Sequence, residues 1–454
     1  MTKIVDVRGK EILDSRGNPT VYARVILDNG GVGLSSVPSG ASTGTREAVE
    51  LRDGKLDKND PHFNKSRYGG KGVLKAVHHV NNELRNAVVG MDVEDQAGID
   101  NLMVEMDETD NKGKFGANAL LAVSLAVLRA SAFGLGDEVF RRVAGLCGNE
   151  RATELPVPML NILNGGAHAA GSTDFQEFMV VPAGLPTFSD ALRAGSEIYH
   201  KLGETLEEQG QSTNVGFEGG YAPHGLTNRQ ALSFVTQAIE DAGYVPGEEV
   251  FIALDPAASE FYKNPTERPG AGRYNLRREG YRFPTARMID EYAALRDDYP
   301  IYSIEDGLAE DDWEGWSAIT ARMGKTTQLV GDDLFVTQER YLERGIKEAA
   351  GNAILIKLNQ VGTVTETLAT IKMAQEAGFG VVISHRSGET EDTTIADLAV
   401  GTSAGQIKTG APARSERVAK YNRLLRIEET LGDSARYAGT RVLDRAATRR
   451  SPSV

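Results

Sequence analysis

The chain has a single cysteine, Cys147, among its 454 residues. An intramolecular disulfide is therefore excluded, and a reducing compartment is the simplest expectation. Positive charge is also scarce: 50 lysines and arginines stand against 64 aspartates and glutamates, which gives a formal net charge of −14. General binding to nucleic acids or anionic membranes needs a basic face, so neither is expected. An anionic ligand would have to be met by cations gathered at one place.

Long hydrophobic runs are missing as well. The most apolar stretch, residues 119–132, is shorter than a membrane span and contains Arg129, so it is predicted to be a buried helix. No transmembrane segment is expected. Residues 1–3 lead directly into the strand-like residues 4–7, without the apolar core of a signal peptide. We therefore expect a cytoplasmic protein.

Two patterns divide the chain. Residues 1–35 alternate like strands around a turn at residues 16–19, and residues 45–140 are mostly helical in pattern, which predicts a small N-terminal α+β domain over residues 1–148. Over residues 149–434, short apolar runs end in polar or charged residues, which predicts a second, α/β domain that carries the chemistry. Residues 435–454 contain five arginines and are expected to form a flexible basic tail.

Six of the apolar runs in the second domain are followed by Asp255, Glu305, Asp332, Lys357, His385 and Lys408. After a first gap of 50 residues, the intervals are 27, 25, 28 and 23 residues, about one strand plus one helix each. Between two of these runs, Thr363 and Glu366 form a capping-box pattern and Gly378 is a natural helix stop. Such βα units suit either a parallel barrel or an open doubly wound sheet, and periodicity does not decide between them. In a barrel, the six residues would converge on one mouth.

Each of the six residues alone is more simply explained as a solvated loop residue or an ion-pair partner. All six, however, occupy the same position at successive strand ends, which favours a shared functional site. Asp255, Glu305 and Asp332 offer only oxygen ligands, which suits a hard cation such as Mg²⁺. Without a cation, three converging carboxylates would repel one another strongly. Lys357 follows an apolar run, so we expect burial to lower its pKa and make it a possible base. The loop PSGASTG at residues 38–44 could close over a phosphate or offer an oxygen to a cation.

Several blocks of this sequence closely resemble those of enolases. They include DSRGNPT at residues 14–20, PSGASTG at 38–44, KFGAN at 114–118, EGGYAP at 218–223, SIEDG at 303–307, GDDL at 331–334, IKLNQ at 356–360, SHRSGETED at 384–392 and GQIKTGAPARSE at 405–416. In order, they cover about residues 2–434. The resemblance implies an α/β protein, with a modified βα barrel of the enolase type behind a smaller N-terminal α+β capping domain.

The resemblance also implies an activity and its residues. The reaction would be the reversible, Mg²⁺-dependent dehydration of 2-phosphoglycerate to phosphoenolpyruvate, in glycolysis and gluconeogenesis, with Lys357 as base and Glu218 as acid. Two Mg²⁺ ions are expected per active site: the first on Asp255, Glu305 and Asp332, the second served by Ser42. Substrate contacts would come from His168, Glu177, His385, Arg386, Ser387 and Lys408. Self-association as a dimer or octamer is implied too.

Three positions depart from the enolase pattern. Phe217 stands where an aspartate is usual, Gly171 stands where an asparagine is usual, and Tyr22 stands where a glutamate would pair with Arg426 across a dimer interface. Adjacent side chains of an extended segment point in opposite directions. We therefore expect Phe217 to face the protein interior while Glu218 faces the substrate.

Two other functions stay open at this point. One is a different dehydratase or racemase of the same superfamily, which would not need Arg386, Ser387 or the loop of Ser42. The other is a binding or scaffolding protein that has lost turnover, for which Phe217 is the best support.

Overall fold

The computed structural model describes residues 1–40, 46–149, 152–263 and 273–447. Its N-terminal domain is built on an antiparallel sheet with the order β1 (Ile4–Leu13), β2 (Pro19–Leu27) and β3 (Val32–Ser36). The helices of this domain are α1 (Leu74–His79), α2 (Arg85–Val88), α3 (Gln96–Asp107), α4 (Ala117–Leu135) and α5 (Val139–Cys147). A π-helical segment, Val80–Leu84, joins α1 to α2. The predicted α+β composition of this region is confirmed.

Helix α4 is the core of the N-terminal domain, as the apolar stretch at residues 119–132 predicted. Gly33 of β3 lets the helix pack closely on the sheet, because a Cβ atom there would lie 2.0 Å from the carbonyl oxygen of Ala126. Among the described residues, α4 is the one helix whose length and composition would allow a membrane crossing, but most of it is buried inside the protein. It is therefore best explained as a core helix.

A closed barrel of eight strands forms the second domain. The strands that follow the N-terminal domain are β4 (Glu154–Leu155), β5 (Val157–Asn164), β6 (Glu177–Val181), β7 (Phe251–Asp255), β8 (Tyr262–Lys263), β9 (Arg273–Leu276), β10 (Tyr281–Phe283), β11 (Ile301–Glu305), β12 (Gln328–Gly331), β13 (Ala353–Ile356), β14 (Gly380–Ser384), β15 (Gly405–Lys408) and β16 (Arg436–Tyr437). The barrel order is β5, β6, β7, β11, β12, β13, β14 and β15, closing on β5. Strand β6 runs antiparallel to both of its neighbours, and the other pairs are parallel. The choice between barrel and open sheet is thus settled for a modified barrel.

Helices surround the barrel. They are α6 (Phe188–Glu208), α7 (Asn228–Asp241), α8 (Thr285–Asp298), α9 (Trp313–Met323), α10 (Glu339–Glu348), α11 (Leu358–Val361), α12 (Val364–Glu376), α13 (Thr394–Gly401), α14 (Ser415–Leu431) and α15 (Arg441–Ala447). Helix α12 begins where the sequence predicted: the Thr363 hydroxyl accepts the backbone N–H of Glu366 at 3.2 Å. Gly378 follows its end with a left-handed φ of 72°.

The segment after residue 435 differs from the expected flexible tail. Strand β16 pairs with β4, and the backbone oxygen of Val442 accepts a hydrogen bond from the Tyr302 hydroxyl at 3.1 Å. Val442 itself is 2% exposed and packs in an apolar cluster with side chains of the barrel strands. The expectation was therefore wrong for this part, because it weighed the arginines and neglected the apolar residues between them. Residues 448–454 lie outside the described part of the chain.

Candidate active site

The carboxyl ends of the barrel strands surround one cavity. Of the predicted site residues, His168, Glu177, Glu218, Asp255, Asp332, Lys357, His385, Arg386, Ser387 and Lys408 line it. Glu305 lies within contact distance of Lys408 and is 1% exposed. Ser42 lies outside the described residues, although Gly40, from the same loop, lines the cavity. The structure thus gathers the predicted residues that it describes.

Lys408 is surrounded by carboxylates. Its ammonium nitrogen lies 3.0 Å from Asp255 Oδ2, 2.9 Å from Glu305 Oε1 and 3.1 Å from Glu177 Oε2. Burial opposes the charge of Lys408, but these carboxylates outweigh it and raise the pKa of Lys408 well above its usual value. One ammonium cannot neutralise three carboxylates. Burial, and next the charge of Asp255, raise the pKa of Glu305 well above the usual range, so this carboxyl tends to keep a proton.

This cluster suits a divalent cation. Asp255, Glu305 and Asp332 are buried, offer only oxygen donors, and sit at the ends of neighbouring strands. A cation bound to them would supply the positive charge that they now obtain from Lys357 and Lys408. Asp306 and Asp333 extend the acidic set, because each of them and Asp332 place one carboxylate oxygen within 4.8 Å of the others. The residues present therefore fit the binding of a hard metal ion.

Lys357 departs from the prediction that its pKa is lowered. Its ammonium forms a short ion pair with Asp332 Oδ2, and Gln360 holds the other oxygen of that carboxylate at 2.9 Å. Burial lowers the pKa of Lys357, but the charge of Asp332 overcomes this, and the pKa is raised. The prediction counted burial and not a carboxylate 25 residues earlier in the chain, and that carboxylate reverses the direction of the pKa shift.

A second group of titratable side chains lies across the cavity. His168 Nδ1 is 3.5 Å from Glu177 Oε1 and 3.9 Å from Glu218 Oε1, and Asn161 donates to Glu218 Oε2 at 3.0 Å. Burial, and next the charge of Glu218, raise the pKa of Glu177 well above its usual value. Burial also disfavours the Glu218 carboxylate, but His385, His168 and a nearby arginine hold its pKa well below the usual range. The two pKa values are therefore moved in opposite directions, which favours a proton on Glu177 over one on Glu218.

The side of the cavity next to the N-terminal domain is suited to an anion. Arg386 donates to Glu47 at 3.0 and 3.2 Å, and to Asn359 at 3.1 Å. Arg16, from the turn between β1 and β2, donates to the Ser387 hydroxyl at 3.3 Å. Because that hydroxyl oxygen accepts from Arg16, its own proton is available to an acceptor in the cavity. A phosphate group would meet one arginine and one hydroxyl donor here.

Sequence reasoning missed several residues that line the cavity, among them Glu47, Gln176, Asp306 and Asp333. Asp306 and Asp333 had a signal, since each directly follows a predicted ligand at a strand end. The Asp306 carboxylate accepts the backbone N–H groups of Asp332 at 3.0 Å and Asp333 at 2.9 Å, so it orients that loop. Burial and Asp332 raise the pKa of Asp333 to about 7. Glu47 had no signal, because it arrives from the other domain.

The departures at Phe217 and Gly171 can be located. Phe217 is 45% exposed whereas Glu218 is 3% exposed, so the expectation that Phe217 faces the interior was wrong. The two residues lie in a turn rather than in an extended segment, with Gly219 N–H donating to Gly216 O at 3.2 Å.

Gly171 has a left-handed φ of 89°, which explains a glycine there. Its carbonyl accepts from Arg278 at 2.7 Å, which ties down the loop that carries His168.

Comparison with protein-family models covers both domains. The model described as "Enolase, N-terminal domain" matches residues 4–143. The model described as "Enolase, C-terminal TIM barrel domain" matches residues 152–446. Together they match the two domains that the structure describes.

Proposed function

Because this chain belongs to the enolase family, we propose that it is a lyase that catalyses the reversible, Mg²⁺-dependent dehydration of 2-phosphoglycerate to phosphoenolpyruvate. The observation that carries the proposal is the content of one cavity. The cavity is lined by buried carboxylates suited to a cation, by a lysine, by a pair of coupled carboxyl groups, and by an arginine–serine pair suited to phosphate. We assign the reaction to glycolysis and gluconeogenesis in the cytoplasm.

The cation and the base are linked through Asp332. We assign Asp255, Glu305 and Asp332 to the first Mg²⁺, and Ser42 to a second. Mg²⁺ held by these residues would supply positive charge next to the substrate carboxylate, where negative charge develops. Asp332 is the carboxylate that raises the pKa of Lys357, so if Asp332 were shared with a cation, burial would favour the neutral form of Lys357. Lys357 in that form is the base that removes the proton from C2 of 2-phosphoglycerate.

The acid comes from the opposite side of the cavity. The hydroxyl on C3 leaves only after it is protonated, and Glu218 is the donor that we assign. Glu177, whose pKa is raised by burial and by the charge of Glu218, lies beside it together with His168. An anionic substrate raises the pKa of Glu218 by repulsion, so Glu218 takes up the proton that the Glu177–Glu218 pair shares and passes it to the leaving oxygen.

Binding of the substrate uses the remaining cations. Arg386 and Ser387 bind the phosphate, since both are buried and Ser387 has a free donor proton. We assign Lys408 to the substrate carboxylate, since a cation held by Asp255 and Glu305 would share the carboxylates that contact its ammonium. The requirement for Arg386 and Ser387 distinguishes this activity from that of a superfamily member that acts on unphosphorylated acids.

The test is turnover with a defined substrate pair. The purified chain should convert 2-phosphoglycerate to phosphoenolpyruvate, lose this activity in a chelator and regain it with Mg²⁺. Unphosphorylated glycerate is the matched control and should not react. Turnover of glycerate or of a sugar acid in place of 2-phosphoglycerate, or no turnover with Mg²⁺ present, would overturn the proposal.

We also propose that the enzyme is a homo-oligomer built from dimers, either a dimer or an octamer. Family membership supports this, and Tyr22 replaces only one charged partner of an exposed pair, which contributes about 0–1 kcal/mol. Light scattering at micromolar concentration should give at least twice the mass of the chain; a monomer would contradict the assignment.

A further inference from the structure

Arg417 connects the two loops that carry Glu218 and His385. It lies in the first turn of α14 and is fully buried. One terminal nitrogen, Nη1, lies 2.6 Å from His385 Nδ1 and donates to the carbonyl of Arg386 at 2.6 Å. The other, Nη2, donates to the carbonyl of Ser387 at 2.7 Å and to that of Phe217 at 3.1 Å. The guanidinium thus joins the carbonyl before Glu218 to those that follow His385.

The contact with His385 defines where the imidazole carries its proton. A guanidinium has donors only and stays protonated in proteins, so Arg417 cannot accept a hydrogen bond. His385 Nδ1 must therefore be the acceptor, with a lone pair directed at Nη1. A proton on Nδ1, in the other neutral tautomer or in the imidazolium ion, would face a second donor. The remaining tautomer is neutral and carries its hydrogen on Nε2.

The Nε2 atom faces the carboxylate of Glu218. The distance from His385 Nε2 to Glu218 Oε2 is 3.4 Å, and Nε2 is buried without a well-formed hydrogen bond. Glu218 and Arg417 face the ring from other elements, and Glu389 lies on its own loop. This donor is therefore aimed at Glu218 or at an oxygen bound between the two side chains.

We propose that Arg417 is a positioning residue that fixes His385 as the Nε2–H tautomer, so that this imidazole is a permanent hydrogen-bond donor beside Glu218. The inference rests on the proposed function for its consequence. When Glu218 gives its proton to the leaving hydroxyl, it becomes a carboxylate, and the fixed donor stabilises that product. His385 itself neither takes nor delivers a proton, which separates its role from that of Glu218.

The direct test observes the imidazole. The chain has 7 histidines, so long-range proton–nitrogen NMR spectra of histidine-labelled protein contain few signals, and H385Q assigns the one of interest. His385 should stay neutral, with an unprotonated Nδ1 and a protonated Nε2, between about pH 5 and 8. An Nδ1–H tautomer or an imidazolium in this range would overturn the proposal. The result does not depend on turnover, so it stands apart from the proposed function.

Variants test the role of Arg417. R417M should mix the two tautomers and lower kcat by about tenfold or more, with a smaller change in KM. The matched control is R423M, which removes another largely buried arginine of α14, one that pairs with Asp397 and Glu138 away from the cavity. It should leave the His385 signal and kcat unchanged. An unaltered tautomer in folded R417M would overturn the proposal, and if R417M does not fold, the spectrum of the native protein decides.

Discussion

Replacement of Lys408 by methionine should destabilise the metal-free protein and make its stability depend on Mg²⁺. The ammonium is within 3.1 Å of oxygens from Asp255, Glu305 and Glu177, and all four side chains are buried. Methionine fills a similar volume, so the change removes the charge more than the packing. Removing one partner from a buried charge cluster costs about 3–5 kcal/mol, since the remaining charges are left unpaired.

The loss should grow with pH. Burial and mutual repulsion already raise the pKa of Glu305 and of Glu177 in the folded protein. Without Lys408 these values rise further, so the folded state binds more protons than the unfolded state. Stability then falls as pH increases from the unfolded carboxyl pKa to the folded one, by about 1.4 kcal/mol for each pH unit between the two values. In acid, protons replace the missing ammonium and K408M approaches the native protein.

Urea unfolding in a chelator, at about pH 5 and about pH 8, measures the effect. K408M should lose about 3–5 kcal/mol at the higher pH and less at the lower, and saturating Mg²⁺ should restore much of the loss. K372M is the control, because Lys372 has an exposed side chain and should change stability by less than about 0.5 kcal/mol. Equal stability of K408M and the native protein at the higher pH, or no response to Mg²⁺, would refute the reasoning.

Three further predictions concern the reaction. K357A should abolish exchange of the C2 proton of 2-phosphoglycerate with deuterated solvent, whereas E218Q should keep that exchange and lose dehydration; NMR distinguishes them, and exchange in K357A would place the base elsewhere. D332N should weaken Mg²⁺ binding about tenfold or more by calorimetry, a change of about 1.4 kcal/mol, and an unchanged affinity would reject Asp332 as a ligand. F217D should keep turnover within about tenfold of the native rate, and a larger change in steady-state assays would show that this position controls Glu218.

The barrel and its mouth were accessible from the sequence because both follow local rules. Buried parallel strands appear as short apolar runs, and helix caps have their own signatures, as Thr363 shows. The residue after each apolar run lies at the end of a strand, whichever neighbouring strands that strand pairs with. Whether the sheet closes into a barrel could not be predicted from the sequence. Closure depends on which strands pair, and a barrel and an open sheet give the same periodicity of apolar runs.

The electrostatics of the site could not be derived in this way. Burial was expected to lower the pKa of Lys357. That pKa depends instead on the position of one Asp332 oxygen, which no local sequence pattern encodes. Glu47, 339 residues from its partner Arg386, has the same difficulty. Family resemblance supplied residue identities and expected roles, but it did not supply the directions of the pKa shifts in the site.

Phe217 shows where a local rule was applied outside its range. Alternation of side chains holds for extended backbone, but here a turn bounded by Gly216 and Gly219 places Phe217 in solvent and Glu218 in the cavity. A ring that is 45% exposed does not belong to the core.

An aspartate in place of Phe217 would act on Glu218 mainly through solvent. The charge of an exposed aspartate is screened by water, so its effect on the pKa of Glu218 is smaller than that of a charge inside the cavity. The side chains that do reach the acid are those of His168, His385 and Asn161. Turnover should therefore tolerate substitution at Phe217 far better than substitution at any of these three.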